Sequence, residues 1–148
     1  MIVYHGTIDK YAEKIQGEGL KAMPRNRLNV TFLGTFGGTF GYDRMEGEQD
    51  GAKVHVTPLL ALAKQFAELR SEYARAQMGT WVHVEGLGAI RKESSEVIPD
   101  AMPVVVKVEL PDTWPKEQDP QLTQEGYVTP DIPASYIRNL IKIPMLKR

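Results

Sequence analysis

Apolar and polar positions switch between two periods along the chain, and the switches mark its elements. Residues 1 to 4 form an apolar, β-forming run that predicts a strand, ended at Gly6, whose missing Cβ permits a sharp turn. After Thr7 the apolar residues Ile8, Tyr11, Ala12 and Ile15 recur at helical spacing, and Gly17 and Gly19 close the pattern before Leu20, which predicts a short amphipathic helix. Residues 21 to 53 hold Lys21, Arg25 and Arg27, then a glycine-rich stretch from Gly34 to Gly41, and predict no helix. Val54 to Thr57 predicts a strand. Thr57-Pro58 then reads as a helix start, the hydroxyl capping and the proline at the first helical position, with a helix to about Ala76. Its buried stripe is Leu59, Leu62, Ala63, Phe66, Leu69 and Tyr73. Thr80 to Glu85 alternates as a strand, residues 86 to 102 read as a loop, and Pro103 to Leu110 is apolar enough for a central, buried strand. Residues 111 to 124 carry three prolines and predict a surface loop. A short strand at Tyr127 to Thr129, a helical turn at Pro133 to Asn139 and a last strand at Leu140 to Ile143 complete the pattern. Short strands, few helices and no regular βαβ alternation predict one α+β domain, 1–148, with a largely antiparallel sheet.

Composition adds mainly exclusions. At 148 residues, 42 % hydrophobic and 25 % charged, the chain matches a single globular domain, expected as a monomer. Its 18 basic and 19 acidic residues leave a net charge of -1, so no global basic field is available to hold nucleic acid. There is no cysteine, and histidines at 5, 55 and 83 have poor zinc-ligand spacing, so no structural metal is expected. The first residues show neither a basic leader nor a long apolar run, which predicts a cytoplasmic protein with no membrane partner.

The candidate chemistry begins at Tyr4-His5-Gly6-Thr7. A histidine at a strand end can exchange a hydrogen bond with a ribose hydroxyl, and a following glycine lets main-chain N–H and C=O approach a planar carboxamide. Thr7 is placed to cap the first helix, whose N-terminal N–H groups suit phosphate. Read alone, the same four residues also fit a turn in which His5 is satisfied by main chain. Arg25, Arg27 and Arg70 are the basic residues best placed for pyrophosphate or a phosphorylated substrate, since a guanidinium binds either in a two-pronged fashion. Phe36, Phe40 or Tyr42 can supply aromatic stacking from the glycine-rich stretch. The stripe from Leu59 to Tyr73 is expected to be core, and Trp81 and Trp114 to be core or loop anchors.

Four pieces follow one another in order: Tyr4-His5-Gly6-Thr7; a helix with Gly19-Leu20; Val54-His55-Val56-Thr57-Pro58 with an alanine-rich helix; and the run from Glu125 to Ile137. This ordered set resembles the ADP-ribosyltransferase superfamily, which includes small bacterial mono-ADP-ribosyltransferases, poly(ADP-ribose) polymerases and tRNA 2'-phosphotransferases. The resemblance implies an ADP-ribosyltransferase-like split sheet that holds NAD in a cleft, with transfer of ADP-ribose to an acceptor, whether protein, nucleic acid or small molecule. Tyr4, His5, Gly6, Thr7, His55 and Thr57 then line the NAD site, with Arg25, Arg27, Tyr42 and Arg70. Where the resemblance calls for a stacking tyrosine this chain has His55, and an imidazole also stacks. Breaking the nicotinamide–ribose bond develops oxocarbenium-like charge, so a fixed carboxylate beside the sugar lowers the barrier. Glu125 is the catalytic candidate beside His5 and His55, with Glu109 and Asp131 as fallbacks, because Gly126 separates Glu125 from the strand. The 2'-phosphotransferases favour arginine where this chain has Tyr4, which ranks transfer of an RNA 2'-phosphate second. A catalytically inactive module that binds a nucleotide or a protein is the third reading.

Overall fold

The computed structural model describes residues 1–21, 32–33, 54–84, 88–93, 95–118 and 126–144. In chain order these form β1 (Ile2–Ile8), α1 (Asp9–Glu18), β2 (Phe32–Leu33), β3 (Val54–Val56), α2 (Leu60–Arg75), β4 (Trp81–Val84), β5 (Gly88–Arg91), β6 (Pro103–Glu109), β7 (Glu117–Gln118), β8 (Tyr127–Thr129), a 3-10 turn (Ala134–Tyr136) and β9 (Ile137–Lys142). The strands make antiparallel sheets in the orders β1-β6-β9, β2-β5-β4 and β3-β8-β7. The architecture is α+β. Among the described residues no helix is long and apolar enough to cross a membrane.

β6 is central because both of its faces are apolar. Val106 and Val108 pack with Val3, Leu20, Val54, Val56, Leu110 and Ile132 on one side, and Val105 packs with Ala63, Ala67 and Ile143 on the other. Two layers are thus tied together through one strand. α2 lies across the second face of the β1-β6-β9 sheet, and its small side chains let it come close: Ala63 and Ala67 sit against β1. The C-terminal turn of α2 is held by Lys92, which is buried, donates to the Tyr73 and Ala74 carbonyls and lies 4.6 Å from the Tyr73 ring centre. A cation there also meets the negative end of the helix dipole.

Several elements differ from the sequence reading. The first strand does not end at Gly6 but runs to Ile8, because seven consecutive residues pair with β6, from Ile2 opposite Glu109 to Ile8 opposite Pro103. Thr7 is therefore a buried strand residue, and α1 starts after Ile8 with no side-chain cap. α2 starts at Leu60, and the Thr57 hydroxyl accepts from the Leu59 N–H in a turn ahead of the helix. Leu59 is exposed, but the rest of the expected stripe packs inward: Ala63 and Leu69 are buried, and Leu62, Phe66 and Tyr73 pack with Leu69 against Val82 and Ile90, while Ala67 and Ala74 widen the buried face. The expected loop at 86–102 contains β5, and β9 starts at Ile137 instead of Leu140. β7 lies within the expected loop at 111–124. Trp114 is anchored edge-on to Tyr136, at 5.3 Å between ring centres, whereas Trp81 is exposed.

Candidate functional site

The candidate site lies where two sheets meet at a single bridge. Tyr4 in β1 and Thr57 just after β3 exchange both main-chain hydrogen bonds, at 2.7 and 2.9 Å, and form an isolated antiparallel bridge. No further main-chain pair joins β1 to β3 among the described residues. Main-chain groups along a strand point alternately to its two edges, so the N–H and C=O of Gly6 face the same edge of β1 as those of Tyr4. No main-chain partner meets Gly6 on that edge among the described residues. The amide donor and acceptor of Gly6, a buried residue, thus share one edge without a main-chain partner among the described residues.

His5 reaches across to β3. Its Nδ1 lies 2.8 Å from the His55 carbonyl oxygen. A carbonyl only accepts, so Nδ1 carries the hydrogen and Nε2 keeps its lone pair. Burial and the Arg70 guanidinium push the pKa of the His5 imidazole down to about 3, with the His55 carbonyl acting in the opposite sense and the His55 ring adding to the depression. At neutral pH His5 is an uncharged acceptor. Arg70 reaches the site from α2, one turn beyond Ala67 on the face that packs against β1. Burial lowers its pKa while Tyr11, from α1, raises it. No ion pair or hydrogen bond joins Arg70 to another described residue. A half-buried guanidinium beside a neutral imidazole favours an anion at that place.

The candidates divide clearly. His5 and Gly6 follow Tyr4 on β1 at the bridge to Thr57, and Arg70 on α2 is near enough to His5 to act on its charge. The His55 side chain is exposed on β3, between the buried Val54 and Val56. Thr7 and Thr57 are buried. Arg25, Arg27, Tyr42 and Glu125 lie outside the described residues. Of the fallback carboxylates, Glu109 stands opposite Ile2 at the far end of β1 and pairs with Arg138 at 3.2 Å. That register puts it roughly 10 Å along the strand from His5, at about 3.3 Å per residue. Asp131 is exposed beside the Leu20–Ile132 bridge. Tyr11, which the sequence marks only as an apolar helix position, joins the site through its influence on Arg70.

The reason for a glycine at position 6 also changes. A Cβ there would meet the Ala63 carbonyl oxygen and lie 2.6 Å from the Ala67 nitrogen. The side-chain space at Gly6 is thus filled by the α2 backbone. No family model, curated protein or solved structure matches the chain significantly.

Proposed function

We propose that the protein cleaves NAD and transfers ADP-ribose to an acceptor, using the place where β1 meets β3 in an ADP-ribosyltransferase-like fold. The observation that carries this reading is the Gly6 edge, without a main-chain partner among the described residues, beside His5 and Arg70. It is joined by a second: the pieces that resemble the superfamily, though distant in sequence, meet in pairs. Tyr4 bonds Thr57, His5 bonds His55, and Leu20 bonds Ile132.

In this reading the Gly6 N–H donates to the nicotinamide carboxamide oxygen and its carbonyl accepts from the carboxamide NH2. His5 accepts a ribose hydroxyl hydrogen at Nε2, and Arg70 holds a phosphate. The nicotinamide–ribose bond breaks with its electron pair leaving on nicotinamide, and the acceptor nucleophile forms the new bond to the same carbon while giving up its proton. Glu125 supplies the negative charge that stabilises the sugar in between. The acceptor is set by loops and is left open by these groups.

Arg70 beside His5 also favours a second reading, transfer of a 2'-phosphate from RNA to NAD-derived ADP-ribose, because a guanidinium with no carboxylate partner among the described residues suits a phosphomonoester. Mass spectrometry of NAD incubated with the protein, alone and with a 2'-phosphorylated oligonucleotide, separates the two. Nicotinamide release with the oligonucleotide phosphate left in place is expected. Loss of that phosphate to a cyclic phosphate of ADP-ribose establishes the second reading, and NAD intact in both arms refutes both.

A further inference from the structure

Hydrogen-bonded pairs in an antiparallel ladder recur at every second residue. After Tyr4 with Thr57, the next pair between β1 and β3 is therefore Gly6 with His55, yet the bridge at Tyr4 and Thr57 stands isolated. The His55 carbonyl that Gly6 would use is taken by Nδ1 of His5, 2.8 Å away. β3 turns its other residues, Val54 and Val56, towards β8, so the His55 main chain is what β3 presents to β1 at this level.

We propose that the His5 imidazole is a wedge: by occupying the His55 carbonyl it stops β1 and β3 from zipping beyond Tyr4 and Thr57, and so keeps the Gly6 main chain open to a ligand. His5 is then a positioning residue for whatever lies against Gly6, in addition to offering Nε2 as an acceptor. The wedge explains why main-chain pairing stops after one well-formed bridge without any proline or bulge between Tyr4 and Gly6 or between His55 and Thr57. It also fixes the ring tautomer, since only Nδ1–H can serve a carbonyl. The wedge rests on strand parity and one hydrogen bond, and it holds whether or not the ligand is NAD.

Amide hydrogen exchange, read by NMR on the ligand-free full chain, tests it. In the wild type the Gly6 amide is expected to exchange fast while the Thr7 amide, which faces β6, stays protected. His5→Ala frees the His55 carbonyl, lets the Gly6–His55 pair form, and is expected to slow Gly6 exchange by roughly tenfold with Thr7 unchanged. His5→Asn keeps an N–H donor near the Nδ1 position and is expected to leave Gly6 fast. A Gly6 amide already protected in the wild type, or one equally fast in His5→Ala, overturns the wedge. Should His5→Ala not fold, the ring nitrogen shifts of wild-type His5 decide: Nδ1 protonated with Nε2 bare is expected, and the opposite tautomer overturns the proposal. Both readouts use the free protein, so the wedge can fail while nicotinamide release succeeds, and the reverse.

Discussion

Gly6 packs directly on the backbone of α2 while its amide edge has no main-chain partner among the described residues, so packing and the proposed recognition fall on different sides of one residue. Any side chain there must push α2 off β1, because the obstructing atoms are main chain. Gly6→Ala is expected to cost about 3 kcal/mol of stability or more, read as a fall in the urea midpoint. A variant as stable as wild type contradicts the close packing. His5 carries a pH signature whose sign follows from its depressed pKa. The unfolded chain takes up a proton near 6.5, whereas the folded protein resists until about 3, so stability present above 6.5 is lost as pH falls through that window. The groups that set this are Arg70 on α2 and the His55 carbonyl and ring on β3. Between about pH 7 and about pH 5 the wild type is expected to lose up to about 2 kcal/mol that His5→Asn, which cannot titrate, does not lose. Equal slopes for the two proteins in urea unfolding contradict the half-buried, neutral imidazole.

At the scale of elements, legibility in the sequence follows how local the cause is. α1, α2 and β6 are readable because side-chain period and apolar runs are properties of a short window: Ile8, Tyr11, Ala12 and Ile15 mark α1, and the valines mark β6. β5 escapes such a reading because its pairing with β4 is a tertiary choice in a segment, 88–91, with little strand character of its own. Gly6 suggests a turn for the same reason, whereas seven pairs with β6 outweigh that local tendency. The candidate site is half legible: His5 and Gly6 lie at the β1–β3 bridge with Arg70 acting on the His5 charge, but which edge the Gly6 amide faces depends on strand parity, which composition does not carry. The end of α1 supplies a test at this scale. Gly19 has φ 87°, and a Cβ there would lie against the Ile132 carbonyl oxygen and 2.8 Å from the Ala134 nitrogen. Gly19→Ala is expected to destabilise by about 2 kcal/mol or more, through both backbone strain and the broken Leu20–Ile132 bridge, and thermal unfolding measures it.

For the whole molecule, the two sheets β1-β6-β9 and β3-β8-β7 are joined at Tyr4 and Thr57 and share the core around Val106 and Val108. The proposed transfer of ADP-ribose needs charge stabilisation as well as binding. Glu125 precedes β8, whose Tyr127 pairs with Val56, and Glu125→Gln is expected to lower NAD turnover by about two to three orders of magnitude with affinity nearly unchanged. Unchanged turnover removes Glu125 from the chemistry. The placement of NAD itself is tested most directly by titrating glycine-labelled protein with NAD and following the Gly6 amide by NMR. A saturable shift of the Gly6 resonance, reproduced by nicotinamide alone and weakened in Arg70→Gln for NAD but not for nicotinamide, is the expected result; a Gly6 resonance that stays in place at saturating NAD contradicts the cleft as the NAD site.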